Sequence, residues 1–417
     1  MSAPTVSSFS VFSLPRTVWA IGIVTLLMNL STIVIFSLSP LYLTAVLGVS
    51  TLSLGIYEGV VEALAWSTRI FSGVISDYLR KRKPLLLFAS SLTALSRPIF
   101  ALAPSFGWIF FARSLDRLGN GLQATPREAL VGDVAPPQSK GACYGLRQTL
   151  GVTGSLIGAL IIILWTGKDM DVSAYQSIFW GAAVPPIIGL IILFFFVKEV
   201  KEKPLSNPLS ALEDRFSFKD FRLLGGPYWR VVFVASLFML SNYSGAFMIL
   251  QAHAVADHIH IAPLTMVFQN LASMCAAYPI GRLSDRIDRR KLLAAGFLLT
   301  IVSNLFLGWA TDQTTVLIGA LLWGAQLGIT QSLLVAKIAD ATVPRVRGTA
   351  FGIYYLTIAG SLFATNFLAG KLFDLKEVFS LFTGPQTLFV ISSIFAFLAF
   401  LCLPLIRSAR RAGPVRH

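Results

Sequence analysis

The segment Gly73-Val-Ile-Ser-Asp77-Tyr-Leu-Arg-Lys-Arg-Lys83 returns 208 residues later as Gly281-Arg-Leu-Ser-Asp285-Arg-Ile-Asp-Arg-Arg-Lys291, each copy between two long apolar stretches. A second set recurs at an offset of 207, where Ala129, Asp133, Pro137, Gly141, Tyr144 and Gly145 come back as Ala336, Asp340, Pro344, Gly348, Phe351 and Gly352. Two halves that carry the same loops in the same order imply a duplicated chain. Parallel repeats of membrane helices, related by an axis along the membrane normal, are a known way of building such a molecule.

The composition agrees with a membrane setting. Hydrophobic residues make up 55% of the chain and charged residues only 13%, against roughly a quarter charged in ordinary soluble domains. A bilayer core of about 30 Å needs roughly 20 mainly apolar residues per helix. That ruler predicts twelve spans, near 17–44, 51–76, 84–103, 107–128, 141–165 and 174–197, then near 228–252, 261–281, 291–310, 314–336, 348–370 and 385–407. The expected architecture is an all-α membrane protein of two six-helix bundles. Residues 1–197 form the first bundle, 198–227 a polar linker, and 228–417 the second bundle with a basic tail. The first span is too long for a signal-peptide core and is expected to be retained.

The formal net charge of +14 raises the question of a nucleic-acid partner, and the placement of the basic residues answers it. Arg80 to Lys83, Lys140, Arg282, Arg286, Arg289 to Lys291, Lys337, Arg345, Arg347, the linker and the tail residues Arg407, Arg410, Arg411 and Arg416 all fall on one side of the predicted topology, against Lys168, Lys371 and Lys376 on the other. Cytoplasmic segments carry such an excess, so both termini are expected to be cytoplasmic. The charge then reflects topology and anionic lipid, not nucleic acid. Cys143, Cys275 and Cys402 lie inside apolar stretches, and neither a disulfide framework nor a metal-ligand spacing is available to them. His253, His258 and His260 gather with only Asp257 beside them, which is a thin donor set for a metal. No metal or cofactor is expected. No Walker sequence is present, so ATP hydrolysis is not expected either.

The span interiors break the symmetry of the repeat. The first half buries Glu58, Glu62 and Arg69 on its second span, Arg97 on the third, Arg113, Asp116 and Arg117 on the fourth, and Arg147 on the fifth. The second half offers amides and hydroxyls instead, among them Asn242, Tyr243, Gln269, Asn270, Asn304, Gln326, Gln331, Tyr354, Tyr355 and Asn366. Charges at the bilayer centre cost at least about 2.5 kcal/mol each on insertion scales and mark functional interiors. Helical spacing puts Glu58, Glu62 and Arg69 on one stripe and Arg113 and Arg117 on another. A carboxylate that exchanges an arginine partner can gain or lose a proton, which makes Glu58, Glu62 and Asp116 the proton-coupling candidates. The five arginines outnumber the three carboxylates, and an unpaired buried cation is disfavoured. An anionic ligand would supply the missing charge, since the planar guanidinium fork binds two oxygens at once.

These residues resemble the major facilitator superfamily along essentially the whole chain. The family's Gly-x-x-x-Asp loop with a following basic pair is matched by Gly73, Asp77, Lys81 and Arg82, and again by Gly281, Asp285, Arg289 and Arg290. Arg80 and Asp288 stand where the family usually has a glycine before the basic pair. The Arg-x-x-polar-Gly signature of its fourth helix is matched by Arg117, Asn120 and Gly121. The fifth-helix antiporter pattern is met by Gly145, Gly154 and Gly158, but Ala159 replaces its proline, which leaves export by antiport open. Asp116-Arg-Leu-Gly-Asn-Gly121 and Pro126-Arg-Glu-Ala-Leu130 also look like a branch of bacterial permeases with poorly defined substrates.

The resemblance implies a monomeric secondary transporter in the bacterial inner membrane, working by alternating access and not an enzyme. Its expected partners are a small-molecule substrate, protons and membrane lipid. The preferred expectation is proton-coupled symport of a small organic anion such as a carboxylate or a siderophore-like compound. Arg69, Arg97, Arg113, Arg117, Arg147, Asn242, Gln269, Asn270, Gln326 and Gln331 are its candidate substrate or switch contacts. The two Gly-x-x-x-Asp loops are its candidate cytoplasmic latches. Proton-coupled export of drug-like compounds and a non-transporting receptor or sensor on the same fold are the competing expectations.

Overall fold

The computed structural model describes residues 14–79, 81–136, 139–165, 171–199, 224–256, 261–284, 287–342, 347–375 and 382–406. In chain order the helices are α1 (Arg16–Leu41, extended by a π turn at Tyr42–Val46), α2 (Thr51–Leu79), α3 (Arg82–Leu102), α4 (Phe106–Val134), α5 (Lys140–Trp165), α6 (Val172–Gly181) and α7 (Val184–Phe196). They continue as α8 (Gly226–Met239), α9 (Gly245–Ala256), α10 (Ile261–Ser284), α11 (Arg289–Gly308), α12 (Gln313–Asp340), α13 (Arg347–Phe373) and α14 (Gly384–Cys402). Most of the linker and the whole basic tail lie outside the described residues, as do Lys168 and Lys376.

Two predicted spans are interrupted, and the sequence supplies the reason in each case. Pro185 and Pro186 open α7 at its first turn, where a missing N–H costs nothing, so 174–197 is two helices in place of one. Ser31 donates to the carbonyl of Ala182 freed by that break, at 2.6 Å. The predicted 228–252 helix breaks at Leu240–Ser244, where Ser241 and Asn242 turn their side chains onto the Phe238 carbonyl at 2.6 and 2.9 Å. Such residues compete with the helix for its backbone groups. Neighbouring helices accept the groups released: Ser392 donates to the Ser241 carbonyl at 2.5 Å, Thr365 to that of Leu240 at 3.1 Å, and Asn366 accepts from the Ser244 N–H at 2.7 Å. In lipid, broken helix is tolerated where protein re-satisfies the backbone in this way.

By length and composition, eight helical spans among the described residues can cross a membrane. α2 and α4, which carry Glu58, Glu62, Arg69, Arg113, Asp116 and Arg117, are not among them. α4 also runs further than predicted, to Val134, so that Asp133 is a helical residue and not part of a loop. Likewise α12 continues to Asp340, and Lys337 is buried within it instead of lying in a loop.

Helix packing explains the motif glycines. A Cβ on Gly121 would stand 2.7 Å from the Ala65 carbonyl oxygen and 2.8 Å from Thr68 Cβ, so the fourth-helix signature sets the close approach of α4 to α2. The seam between the halves is tighter still. A Cβ on Gly55 of α2 would meet the Asn366 carbonyl oxygen and would lie 2.8 Å from Gly370 Cα on α13. Thr51 locks this end by donating to the Gly370 carbonyl at 2.8 Å.

The apolar core is divided unequally between the two ends of the molecule. At the end holding Gly55 and Gly370, one cluster joins both halves, with Leu38, Tyr57 and Phe100 from the first and Phe247, Trp323 and Phe389 from the second. At the end holding Arg82 and Arg289, each half keeps its own core: Val18, Leu86 and Leu193 in one, Tyr228, Phe297 and Leu334 in the other. The halves are therefore fused at one end and separately packed at the other.

Candidate functional site

Asp116 sits at the centre of the buried charge. Arg97 Nη2 donates to its Oδ1 at 2.9 Å, Arg113 Nη1 to its Oδ2 at 3.1 Å, and Arg117 to Oδ2 through Nη2 at 3.1 Å and Nε at 3.3 Å. Arg97 and Asp116 are each 1% exposed at the side chain. Arg97 spends its remaining reach on Thr32 of α1 at 2.9 Å, and the Arg113 guanidinium lies over the Phe36 ring at 5.1 Å. One carboxylate thus ties α1, α3 and α4 together.

The two glutamates of the α2 stripe have different surroundings. Glu62 faces Arg117 Nη1 at 3.7 Å with 27% of its side chain exposed, longer than the roughly 2.7–2.9 Å of a charge-assisted hydrogen bond. Glu58 is fully buried and accepts from Ser244 Oγ at 2.7 Å. That contact crosses from the first half into the broken helix of the second. Glu58 Oε1, Tyr57 Oη and Arg113 Nε and Nη2 are buried polar atoms with no hydrogen-bond partner among the described residues.

Further along the stripe, the Arg69 guanidinium stacks over Trp66 at 4.4 Å, and Trp66 meets Tyr355 of α13 with ring centroids 5.7 Å apart. Arg147 and Arg127 share Glu128 at 3.2 and 3.6 Å. The five arginines counted from the sequence, with Arg127 as a sixth, are thereby distributed: three to Asp116, two to Glu128, and Arg69 to none of the described carboxylates.

The amide candidates of the second half are engaged in different ways. Asn242 and Gln326 are buried and bonded to each other, Gln326 Nε2 donating to Asn242 Oδ1 at 3.3 Å, so they brace the helix break. Asn270 donates to the Met266 carbonyl of its own helix at 2.7 Å. Gln269 Oε1 is buried without a partner, and Gln331 is exposed. Ser244 was not foreseen as a site residue, although the Ser241-Asn242-Tyr243-Ser244 run in mid-span is the signal that marks it. Trp66, three residues before Arg69, has the spacing of helical neighbours.

The repeated loops yield a one-residue correction. Arg82 pairs with Asp133, and Arg289 pairs with Asp340 at 2.5 Å, so the equivalent arginines are 207 residues apart and Arg82 corresponds to Arg289, not to Arg290. Each half caps the helix that begins there. Asp288 accepts from the Arg290 N–H at 3.0 Å and holds the Arg290 guanidinium at 2.8 Å. In the first half Glu199, from beyond α7, accepts from the N–H groups of Arg82 and Lys83, both at 2.9 Å. Asp288 thus stands in place of the family's glycine as an N-cap. Gly73 lies against Thr125 of α4, its Cβ position 3.5 Å from Thr125 Cγ2, and Lys81 is exposed. Gly281 belongs to α10, while Asp285 and the side chain of Asp77 lie outside the described residues.

Comparison with known proteins gives this arrangement its context. The sequence pattern of the Major Facilitator Superfamily matches residues 20–268 and 232–417. An uncharacterised MFS-type transporter of Methanocaldococcus jannaschii is 25% identical over 398 residues, covering 94% of each chain. The multidrug resistance protein MdtH of Photorhabdus laumondii is 26% identical over 357 residues, covering 84% of each. Among solved structures, the nucleoside transporter NupG superposes with a TM-score of 0.75 at 11% identity, covering 94% of this chain and 100% of its own. A D-xylose-proton symporter superposes with a TM-score of 0.71 at 16% identity, covering 93% and 96%. The chain belongs to the Major Facilitator Superfamily and is a multi-pass membrane transporter, not an enzyme.

Proposed function

We propose that the chain is a proton-coupled secondary transporter of a small organic anion, working by alternating access between two six-helix bundles related by a parallel pseudo-repeat. In this reading twelve spans cross the bacterial inner membrane, with α6 and α7 as one span and α8 and α9 as another. The monomer keeps its termini and the Arg82 and Arg289 end in the cytoplasm. The shared core at the Gly55 end then closes the outside, and the separate cores leave the molecule inward-facing.

The observation that carries the reading is the Glu62–Arg117 pair at 3.7 Å. It is loose and partly exposed, yet Arg117 also belongs to the Asp116 hub. Protonating Glu62 releases Arg117 from one of its two carboxylates and shifts its hold on the other. Asp116, held by three guanidinium groups, anchors the cluster, while Glu62 and Glu58 exchange the proton. The unequal numbers of arginines and carboxylates support an anionic cargo. Proton-driven flux in sealed liposomes tests the assignment: Glu62→Gln should retain counterflow of bound solute but lose response to a pH gradient. Unchanged gradient-driven uptake in both Glu62→Gln and Glu58→Gln would end it.

A second reading has one observation in its favour. The similarity to MdtH, named as a multidrug resistance protein, supports proton-coupled export of drug-like compounds. Uptake of lipophilic cations into inside-acidic vesicles in exchange for protons leaving, without any effect of organic anions, would select it.

A further inference from the structure

Among the arginines buried in the described first-half helices, the charge distribution sets one apart. Arg97, Arg113 and Arg117 converge on Asp116, and Arg127 and Arg147 converge on Glu128. Arg69 has no carboxylate within ion-pair distance among the described residues, and its Nε is buried without a hydrogen-bond partner. What it has is an aromatic face, since its guanidinium carbon lies 4.4 Å from the centroid of Trp66.

The surroundings are aromatic on both sides of the seam. Trp66 touches Tyr355 of the second half, and Tyr355 packs in turn beside Phe351 and Tyr354, with centroids 6.0 and 5.5 Å apart. Among the described residues, Trp66 is the partly buried apolar side chain of the first half that packs against the separate core of the second half. A ligand here touches both bundles where their cores are no longer joined.

With one guanidinium face covered by indole, the N–H edge is what Arg69 can still offer, and that edge matches the two oxygens of a carboxylate. The adjoining rings extend it into an aromatic wall of tilted faces, with Trp66 and Tyr355 at 42° to each other, which offers a planar π-system both face and edge contact. We infer that Arg69, Trp66 and Tyr355 form the recognition site for a planar aromatic carboxylate. This rests on the reading of the chain as an organic-anion transporter and names the class of its cargo.

Titration calorimetry on the purified full chain in lipid nanodiscs tests the site with four probes. These are 1-naphthoate, cyclohexanecarboxylate (the same charge without planarity), 1-naphthol (planarity without the charge) and citrate (charge without a ring). 1-Naphthoate is expected to bind about tenfold or more tighter than each of the others, the scale on which a charge-assisted contact and a ring contact add. Arg69→Gln should weaken naphthoate about tenfold or more, Arg69→Lys should restore only part of this because the fork is lost, and Trp66→Leu should weaken it several-fold.

Equal binding of cyclohexanecarboxylate or citrate overturns the assignment, as does unchanged naphthoate affinity in Arg69→Gln. Should Arg69→Gln fail to fold, Arg69→Lys and Trp66→Leu decide, and unchanged affinity in both overturns it. Proton-driven uptake of another solute with no naphthoate binding removes this site and leaves the transporter reading standing. Naphthoate binding through Arg69 without proton-driven flux of any solute removes proton coupling and leaves the site.

Discussion

Glu58 of α2 and Ser244, at the break between α8 and α9, are joined by a 2.7 Å hydrogen bond that spans 186 residues of chain and crosses from one half to the other. The acceptor is a fully buried carboxylate, and the donor's own N–H is held by Asn366 of α13 at 2.7 Å. The bond is made at the end where the two halves share one apolar core. Removing the donor strands the carboxylate, whereas an amide at position 58 still accepts. Ser244→Ala should therefore destabilise the protein by about 1–3 kcal/mol, the cost of a buried polar group left without a partner, and Glu58→Gln by less. Thermal unfolding of the two variants in detergent checks the order; a larger loss in Glu58→Gln would show that charge, not the hydrogen bond, holds the contact.

Closure at the same end depends on Gly55. Since a Cβ there would crowd the Asn366 carbonyl and Gly370 Cα, Gly55→Ala should part α2 from α13. Spin labels at the exposed positions Ser50 and Thr383 should show a longer distance population in the variant. An unchanged distribution would mean that the seam adjusts by backbone shift.

Asp116 should be the costliest single residue to neutralise. Asp116→Asn leaves Arg97, Arg113 and Arg117 facing one another, and breaking a buried charge pair costs about 3–5 kcal/mol. Loss of most of the thermally folded population is expected, with partial recovery in the Asp116→Asn, Arg97→Leu double variant. If the double variant is no better than the single one, Arg97 is not a member of the hub.

The Arg82–Asp133 and Arg289–Asp340 pairs are partly exposed, and pairs of this kind contribute about 0–1 kcal/mol. Asp133→Asn and Asp340→Asn should thus leave the melting midpoint nearly unchanged. If the pairs latch a conformation, the same variants alter transport rate, measured in parallel in liposomes. A change in melting with no change in rate would assign them to stability alone.

Asp312 caps α12 by accepting from the Thr315 N–H at 2.9 Å and from its hydroxyl at 2.8 Å. These bonds, the backbone one foremost, hold its carboxyl below the usual carboxylate range. A carboxylate whose pKa is depressed by folding stabilises above its unfolded value, about 3.9, and that contribution fades as pH falls through the folded value. Asp312→Ala should therefore lower the melting midpoint at neutral pH and have a smaller effect in acid. Asp312→Asn, which still caps, should be nearly independent of pH. Equal losses at both pH values would show that the ionised form is not what caps the helix.

Much of this molecule was legible in its sequence because the constraints are local and repetitive. Apolar runs of bilayer length place the helices to within a few residues, and Arg117, Asn120 and Gly121 with the paired Gly73 and Gly281 loops point to the family. The stripes of α2 and α4 were readable from helical spacing alone, and Glu62 does face Arg117. The proline pair Pro185-Pro186 marks a kink in its span, whereas the break at Leu240–Ser244 was not read, because it lies in an apolar run of ordinary length. The Ser241-Asn242 pair is the local signal that accounts for it.

Partner choice was beyond the sequence. It counts five buried arginines and three carboxylates but does not say that three guanidiniums share Asp116, that Glu128 takes Arg127 and Arg147, or that Arg69 rests on Trp66. Those pairings join residues on different helices, and they are fixed by which faces the packing turns toward one another. The register of Arg82 with Asp133, and of Arg289 with Asp340, is likewise set by where the capped helices begin. Composition and spacing determined that charge is buried in the first half; only the tertiary structure decided which arginine has no carboxylate beside it among the described residues, because electrostatic pairing acts over a few ångströms that no sequence distance encodes.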